Sequence, residues 1–113
     1  MMNNFIGIDI VENKRLIISA NKIAKRILSQ DELCEFTNRK TKLAKREFLA
    51  GRWAAKEAII KCIEQPIPMN KIEIQKTENN KLYFIYNKYN VTISISHEKA
   101  YTVAVAYYNA EGK

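Results

Sequence analysis

Apolar and polar positions alternate through Phe5-Ile6-Gly7-Ile8-Asp9-Ile10-Val11. This period of two, rich in β-branched residues, predicts a strand over 5–11. Successive side chains on a strand point to opposite faces. Ile6, Ile8 and Ile10 therefore share one face, and Phe5, Gly7, Asp9 and Val11 share the other. Asp9 points away from the isoleucine layer. Glu12-Asn13-Lys14-Arg15 leaves the strand as a charged turn, and residues 16–28 are weakly helical. Ser29 with Glu32 three residues on is a capping box, which predicts a short helix to about Phe36. Thr37-Asn38-Arg39-Lys40 breaks it.

The period then changes to that of a long helix over 41–63, with Thr41 as its cap. Ala44, Phe48, Gly51, Ala55, Ala58 and Cys62 recur at three- and four-residue spacing and form its core stripe. The small residues Gly51, Ala54, Ala55 and Ala58 allow another backbone to approach closely. Pro66 and Pro68 end the helical region. Four strand segments follow. Residues 71–76 and 81–86 form a hairpin around Glu78-Asn79-Asn80, and 90–96 and 101–108 form another around His97-Glu98-Lys99-Ala100. A strand, helices and then antiparallel strands make an α+β fold, a long helix packed on an antiparallel sheet.

Length and charge narrow the picture. The 113 residues fit one domain, 1–113, with a modest core that oligomerisation could supplement. The net charge of +7 points to an anionic partner. Two cysteines, Cys34 and Cys62, suit neither a zinc site nor a disulfide framework. No apolar run approaches the ~20 residues of a membrane span, and the first residues lack the pattern of a signal peptide. The expectation is a cytoplasmic protein with no membrane association.

Three places carry candidate chemistry. Asp9 is an acid within an apolar strand, a placement disfavoured unless something pairs with it. Glu57 sits among cations, with Lys56 beside it and Lys61 one turn on. Taken alone, Glu57–Lys61 reads as well as a solvated helix pair worth ~0.3–0.5 kcal/mol. Together, Asp9 and Glu57 supply the one or two carboxylates that Mg²⁺ takes beside phosphate oxygens. Lys45, Arg52 and Lys56 line one basic stripe. His97, the only histidine, ends a strand after Ser94-Ile95-Ser96. It could hydrogen-bond a phosphate, or simply bond the backbone of its turn. Only three glycines occur, and neither a Walker loop nor a dinucleotide fingerprint is present.

Ile6-Gly7-Ile8-Asp9-Ile10, Phe48-Leu49-Ala50-Gly51-Arg52-Trp53-Ala54-Ala55-Lys56-Glu57-Ala58 and Ser94-Ile95-Ser96-His97, in this order, resemble the bacterial holo-[acyl-carrier-protein] synthases. These are the small trimeric branch of the 4′-phosphopantetheinyl transferases. The resemblance runs from about residue 5 to residue 107. It implies transfer of the 4′-phosphopantetheine arm of coenzyme A to a serine of apo-acyl carrier protein, with release of adenosine 3′,5′-bisphosphate. It implies a homotrimer with active sites at subunit interfaces, and a role in fatty acid biosynthesis. By resemblance, Asp9 and Glu57 are the Mg²⁺ ligands and Lys61 contacts the pyrophosphate. Arg52, Lys56 and His97 hold coenzyme A, and Arg15 docks the carrier protein. Asp9, Glu57 and Lys61 are the catalytic set, and the serine proton goes to Glu57 or to a metal-held water. The segment Ile63-Glu64-Gln65-Pro66-Ile67-Pro68 lacks the glycines that many relatives carry there. A basic nucleic-acid-binding module is the competing reading, but it leaves both acids and the histidine unexplained, so no nucleic acid partner is expected.

Overall fold

The structure, a computed structural model, describes residues 4–109. β1 (Asn4–Glu12) opens the chain, and a 3₁₀ turn at Asn13–Leu16 follows it. Then come α1 (Ala20–Ile27), α2 (Gln30–Asn38) and α3 (Lys42–Ile63). β2 (Gln75–Lys76), β3 (Leu82–Tyr86), β4 (Tyr89–His97) and β5 (Tyr101–Asn109) complete a five-stranded sheet in the order β1-β5-β4-β3-β2. Every neighbouring pair is antiparallel.

The helix starts follow the local chemistry. Ser29 accepts from the Glu32 amide at 3.2 Å, and the Glu32 carboxylate accepts from the Ser29 amide at 3.0 Å. Thr41 accepts from the Ala44 amide at 3.0 Å and caps α3. α1 is shorter than the weak pattern over 16–28 suggests, because Ser19 takes a left-handed φ of 67° that separates it from the 3₁₀ turn. The strand expected over 71–76 shrinks to two residues. A 3₁₀ turn at Met69–Lys71 occupies its beginning. The β3–β4 connection is a tight turn with Asn87 at φ 52°, a left-handed position that asparagine tolerates better than most residues.

α3 is buried on two sides. The expected stripe faces the sheet, where Gly51 meets His97 and Ile95, and Ala58 and Cys62 meet Gly7. The other side carries Arg52, Lys56 and Ile59, all buried, towards α2 and the end of α1. The stripe thus gives only half of what this helix buries.

β1 alternates as expected, but its isoleucines are not core. Gly7 and Val11 are buried against α3, while Ile6, Ile8 and Ile10 are 68%, 58% and 60% exposed. α3 packs on the opposite face of β1, so this apolar face of the sheet is open in the protomer. Gly7 makes the helix contact possible. A Cβ there would lie 2.1 Å from the Ala58 carbonyl oxygen and 2.7 Å from the Cys62 amide nitrogen, both backbone atoms that cannot rotate away. Gly7→Ala is therefore expected to lower stability by at least the upper end of the ~1–3 kcal/mol typical of overpacking. Urea unfolding at matched m-value checks it; an unchanged midpoint refutes the close-packing account.

Candidate active site at the junction of β1 and α3

β1 and α3 run in opposite directions past one another. The Cys62 thiol donates to the Phe5 carbonyl at 3.4 Å, and Gly7 lies on Ala58. Two strand residues advance about 6.6 Å, close to the 5.4 Å of a helical turn. One more such step brings Asp9 level with the turn that precedes Ala58 and ends in Glu57. Lys61, one turn after Glu57, reaches back to this point. Its Nζ is 3.3 Å from Asp9 Oδ1 and donates to the Ile8 carbonyl at 3.1 Å. Asp9 and Glu57 are half-buried and Lys61 is exposed. The structure thus gathers Asp9 and Lys61 directly, and Glu57 on the same stretch of helix. Among the described residues, no group of three or more His, Cys, Asp or Glu side chains converges on one point. A cation here would rest on hard carboxylate oxygens and leave positions open for phosphate and water.

At the other end of the sheet-facing stripe, a cavity of about 330 Å³ opens between α3, β2 and the end of β4. Arg39, Gly51, Arg52, Lys76 and His97 line it, with Glu47 as a lining carboxylate. The Arg39 and Arg52 guanidinium carbons lie 4.7 and 4.6 Å from the centre of the same Phe48 ring. Glu35 pairs with both Arg39, at 3.1 Å, and Lys76, at 3.4 Å. Arg52 is buried, and its Nε lies 3.5 Å from Glu32 Oε2 without a hydrogen bond inside the protein. Burial pushes the Arg52 guanidinium below its usual pKa. Glu32 opposes that shift and neighbouring Arg39 adds to it. The guanidinium stays charged throughout the physiological range. An anion is what such a cavity would take.

The basic stripe of Lys45, Arg52 and Lys56 needs correction. Lys56 is 0% exposed. Its ammonium donates to the Ile27 carbonyl at 2.8 Å, the Met69 carbonyl at 2.9 Å and the Glu32 carboxylate. All three protons are spoken for, so Lys56 is a structural cation and not a coenzyme A contact. Burial lowers its pKa, and the charge and hydrogen bond of Glu32 pull the other way. The sequence conceals this, because the partner acid belongs to the capping box of another helix. Glu32 Oε2 also accepts from the Ile74 amide at 3.2 Å. Lys61 pairs across elements with Asp9, in place of the alternative of a Glu57–Lys61 surface pair. Arg15 stands exposed on the 3₁₀ turn after β1, away from the cavity-lining residues. Trp53 is half-buried against the core. Sequence reasoning missed Arg39 and Lys76, which nothing in the local pattern links to Arg52.

The profile of the 4′-phosphopantetheinyl transferase superfamily matches residues 5–106. The chain belongs to this family. It is 50% identical to a holo-[acyl-carrier-protein] synthase of Mycoplasma capricolum over 113 residues, the whole of both chains. It is 41% identical to one from Bacillus subtilis, covering 88% of this chain and 89% of that one. Among solved structures, a holo-(acyl-carrier-protein) synthase from Bacillus anthracis in complex with CoA (3′,5′-ADP) superposes with a TM-score of 0.85 at 32% identity, covering 95% of this chain and 96% of that one. The resemblance read from three motifs therefore extends over nearly all of the fold.

Glu32→Ala should leave Lys56 buried without its counter-ion and so destabilise the protein by ~3–5 kcal/mol. Chemical denaturation reads this directly. A loss below about 1 kcal/mol would mean that the cluster does not hold α2 to α3.

Proposed function

We propose that this protein transfers the 4′-phosphopantetheine arm of coenzyme A to a serine of apo-acyl carrier protein, in the cytoplasm and in support of fatty acid biosynthesis. The products are holo-acyl carrier protein and adenosine 3′,5′-bisphosphate. The observation that carries this reading is the Lys61–Asp9 contact, which joins the strand acid to the helix that bears Glu57. Family membership and full-length identity to holo-[acyl-carrier-protein] synthases support it.

The serine oxygen forms a new bond to the β-phosphorus, and the bond to the bisphosphate leaving group breaks. Asp9 and Glu57 would hold Mg²⁺, which when bound supplies Lewis-acid stabilisation of the phosphoryl oxygens. Lys61 already lies beside Asp9, where its ammonium can neutralise charge that develops on the pyrophosphate. Glu57, or a water beside the acids, takes the serine proton. The nucleotide end of coenzyme A fits the cationic cavity, with Arg52, Arg39 and Lys76 as its positive wall and His97 at its edge.

Arg15 docks the carrier protein. Near it, a cavity of about 480 Å³ has an apolar lining that includes Leu16, Ile17 and Phe36, and Lys42, Lys45 and Arg46 add charge. That combination suits an acidic partner with an apolar ridge. The active unit is a homotrimer. The open isoleucine face of β1 and the outward side chains of β5, with Tyr101 and Tyr107 exposed, supply an apolar surface for subunit contact.

With coenzyme A, Mg²⁺ and apo-carrier protein, intact mass spectrometry should find the carrier heavier by one phosphopantetheine arm. Asp9→Ala and Glu57→Ala should each lower the rate by roughly 10²–10³-fold, as removal of a group that stabilises transition-state charge does. Chelation of Mg²⁺ should do the same to the wild type. Normal rates in both variants would remove this site from the reaction. Light scattering should give three times the protomer mass, and Ile8→Arg should lower it. A monomer at micromolar concentration would refute the assembly.

A further inference from the structure

His97 and Thr102 are paired across β4 and β5. His97 Nδ1 lies 3.2 Å from Thr102 Oγ1. Thr102 is buried, and its hydroxyl donates to Asn13 Oδ1 at 2.7 Å. Asn13 is buried too. Its Nδ2 donates to the carbonyls of Glu98 at 2.9 Å and Lys99 at 3.1 Å, and its backbone N–H donates to the Ala100 carbonyl at 2.8 Å. These bonds determine where the protons are. Two carbonyls, which only accept, hold the nitrogen end of the Asn13 amide. Its oxygen end must therefore face Thr102. That oxygen carries no hydrogen, so the single hydroxyl proton of Thr102 goes to it. Thr102 Oγ1 is left with lone pairs alone for His97, and Nδ1 must carry a hydrogen to meet it.

We propose that Asn13 and Thr102 are positioning residues that keep the His97 proton on Nδ1, so that in the neutral ring a bare Nε2 faces the cationic cavity. The Cε1–Nε2 edge of the ring lies against Gly51, where a Cβ would lie 3.3 Å from Nε2 and 3.2 Å from Cε1. His97 and Gly51 both line the cavity. On the transferase reading, on which this step rests, the nucleotide end of coenzyme A occupies that space. His97 then accepts a hydrogen bond from a donor on the base or sugar of the nucleotide, while Arg39, Arg52 and Lys76 face its phosphate. A ring with the proton on Nε2 would meet that same donor with a second donor, and would reject it.

The chain has one histidine, so its ring nitrogens give an unambiguous signal. Long-range ¹H–¹⁵N correlation on the ligand-free, ¹⁵N-labelled full chain, with the ring neutral, should report a protonated Nδ1 and a bare Nε2. Thr102→Val removes the acceptor and should move the population towards the Nε2–H form. Asn13→Ala frees the Thr102 hydroxyl to donate to Nδ1 and should do the same. Thr102→Ser should keep the wild-type tautomer. In the transfer assay, the KM for coenzyme A should rise several-fold in the Val and Ala variants, by more than kcat falls, and return with Ser. An Nε2–H wild type, or an unmoved tautomer in Thr102→Val and Asn13→Ala, overturns the proposal. A moved tautomer with an unchanged KM overturns the claim that the bare nitrogen serves the ligand. Failure of the transferase reading would show separately, as absence of transfer by the wild type, since the resonance measurement needs no substrate.

Discussion

The close approach of β1 to α3 is the constraint on which the site depends. A strand can lie this near a helix only where neither backbone is held off by a side chain. Gly7 provides that on the strand, and Ala58 presents its carbonyl on the helix. Every ångström gained there is transmitted two residues along β1 to Asp9. The Lys61 ammonium needs that distance to span from its own helix to the Ile8 carbonyl and the Asp9 carboxylate. A looser junction would leave Asp9 as an acid in an edge strand, facing water.

A second constraint acts from the far side of the same helix. Glu32 ends the capping box of α2 and also accepts from Lys56 and the Ile74 amide, with Arg52 close by. One carboxylate thus ties α2, α3 and the segment that leads into β2. Burial makes such a cluster sensitive to the loss of any member, because a charge left alone in a low-dielectric interior has no water to return to. α3 is accordingly held in register from both sides, and the side chains it presents to the sheet are set with it.

Much of this was legible in the sequence, and the omissions share one cause. The capping box at Ser29, the Thr41 cap and the extent of α3 are local, and local chemistry settles them. Asp9 and His97 stood out because an acid in a strand or a lone histidine is unusual where it occurs, whereas Glu57 and Lys61 read alone as a solvated helix pair and were singled out by the family resemblance. Pairing between elements leaves no such trace. Lys56 looked like a surface cation because its partner lies 24 residues away in another helix. Ile6, Ile8 and Ile10 were legible as one apolar face, but apolarity does not say which body covers it. Asn13 looked like one residue of a charged turn, although it is buried and bonds to the β4–β5 turn 85 residues on.

The burial of Arg52 links the two constraints to the anion. Glu32 stands between two cations, Lys56 and Arg52, and Glu35 and Glu73 act on Arg52 from farther away. Lys56 is enclosed and makes the shorter contact with it. Arg52 is the less closely paired of the two, and it lies over Phe48 with Arg39 on the same ring. Two guanidinium groups so placed repel one another, and Glu35, paired with the part-exposed Arg39, offsets some of that repulsion. An anion in the cavity relieves that repulsion. Whatever binds the folded state alone also stabilises it. The arrangement that holds the fold together thus leaves the Arg52 Nε without a hydrogen-bond partner, beside a cavity where an anion can approach the guanidinium.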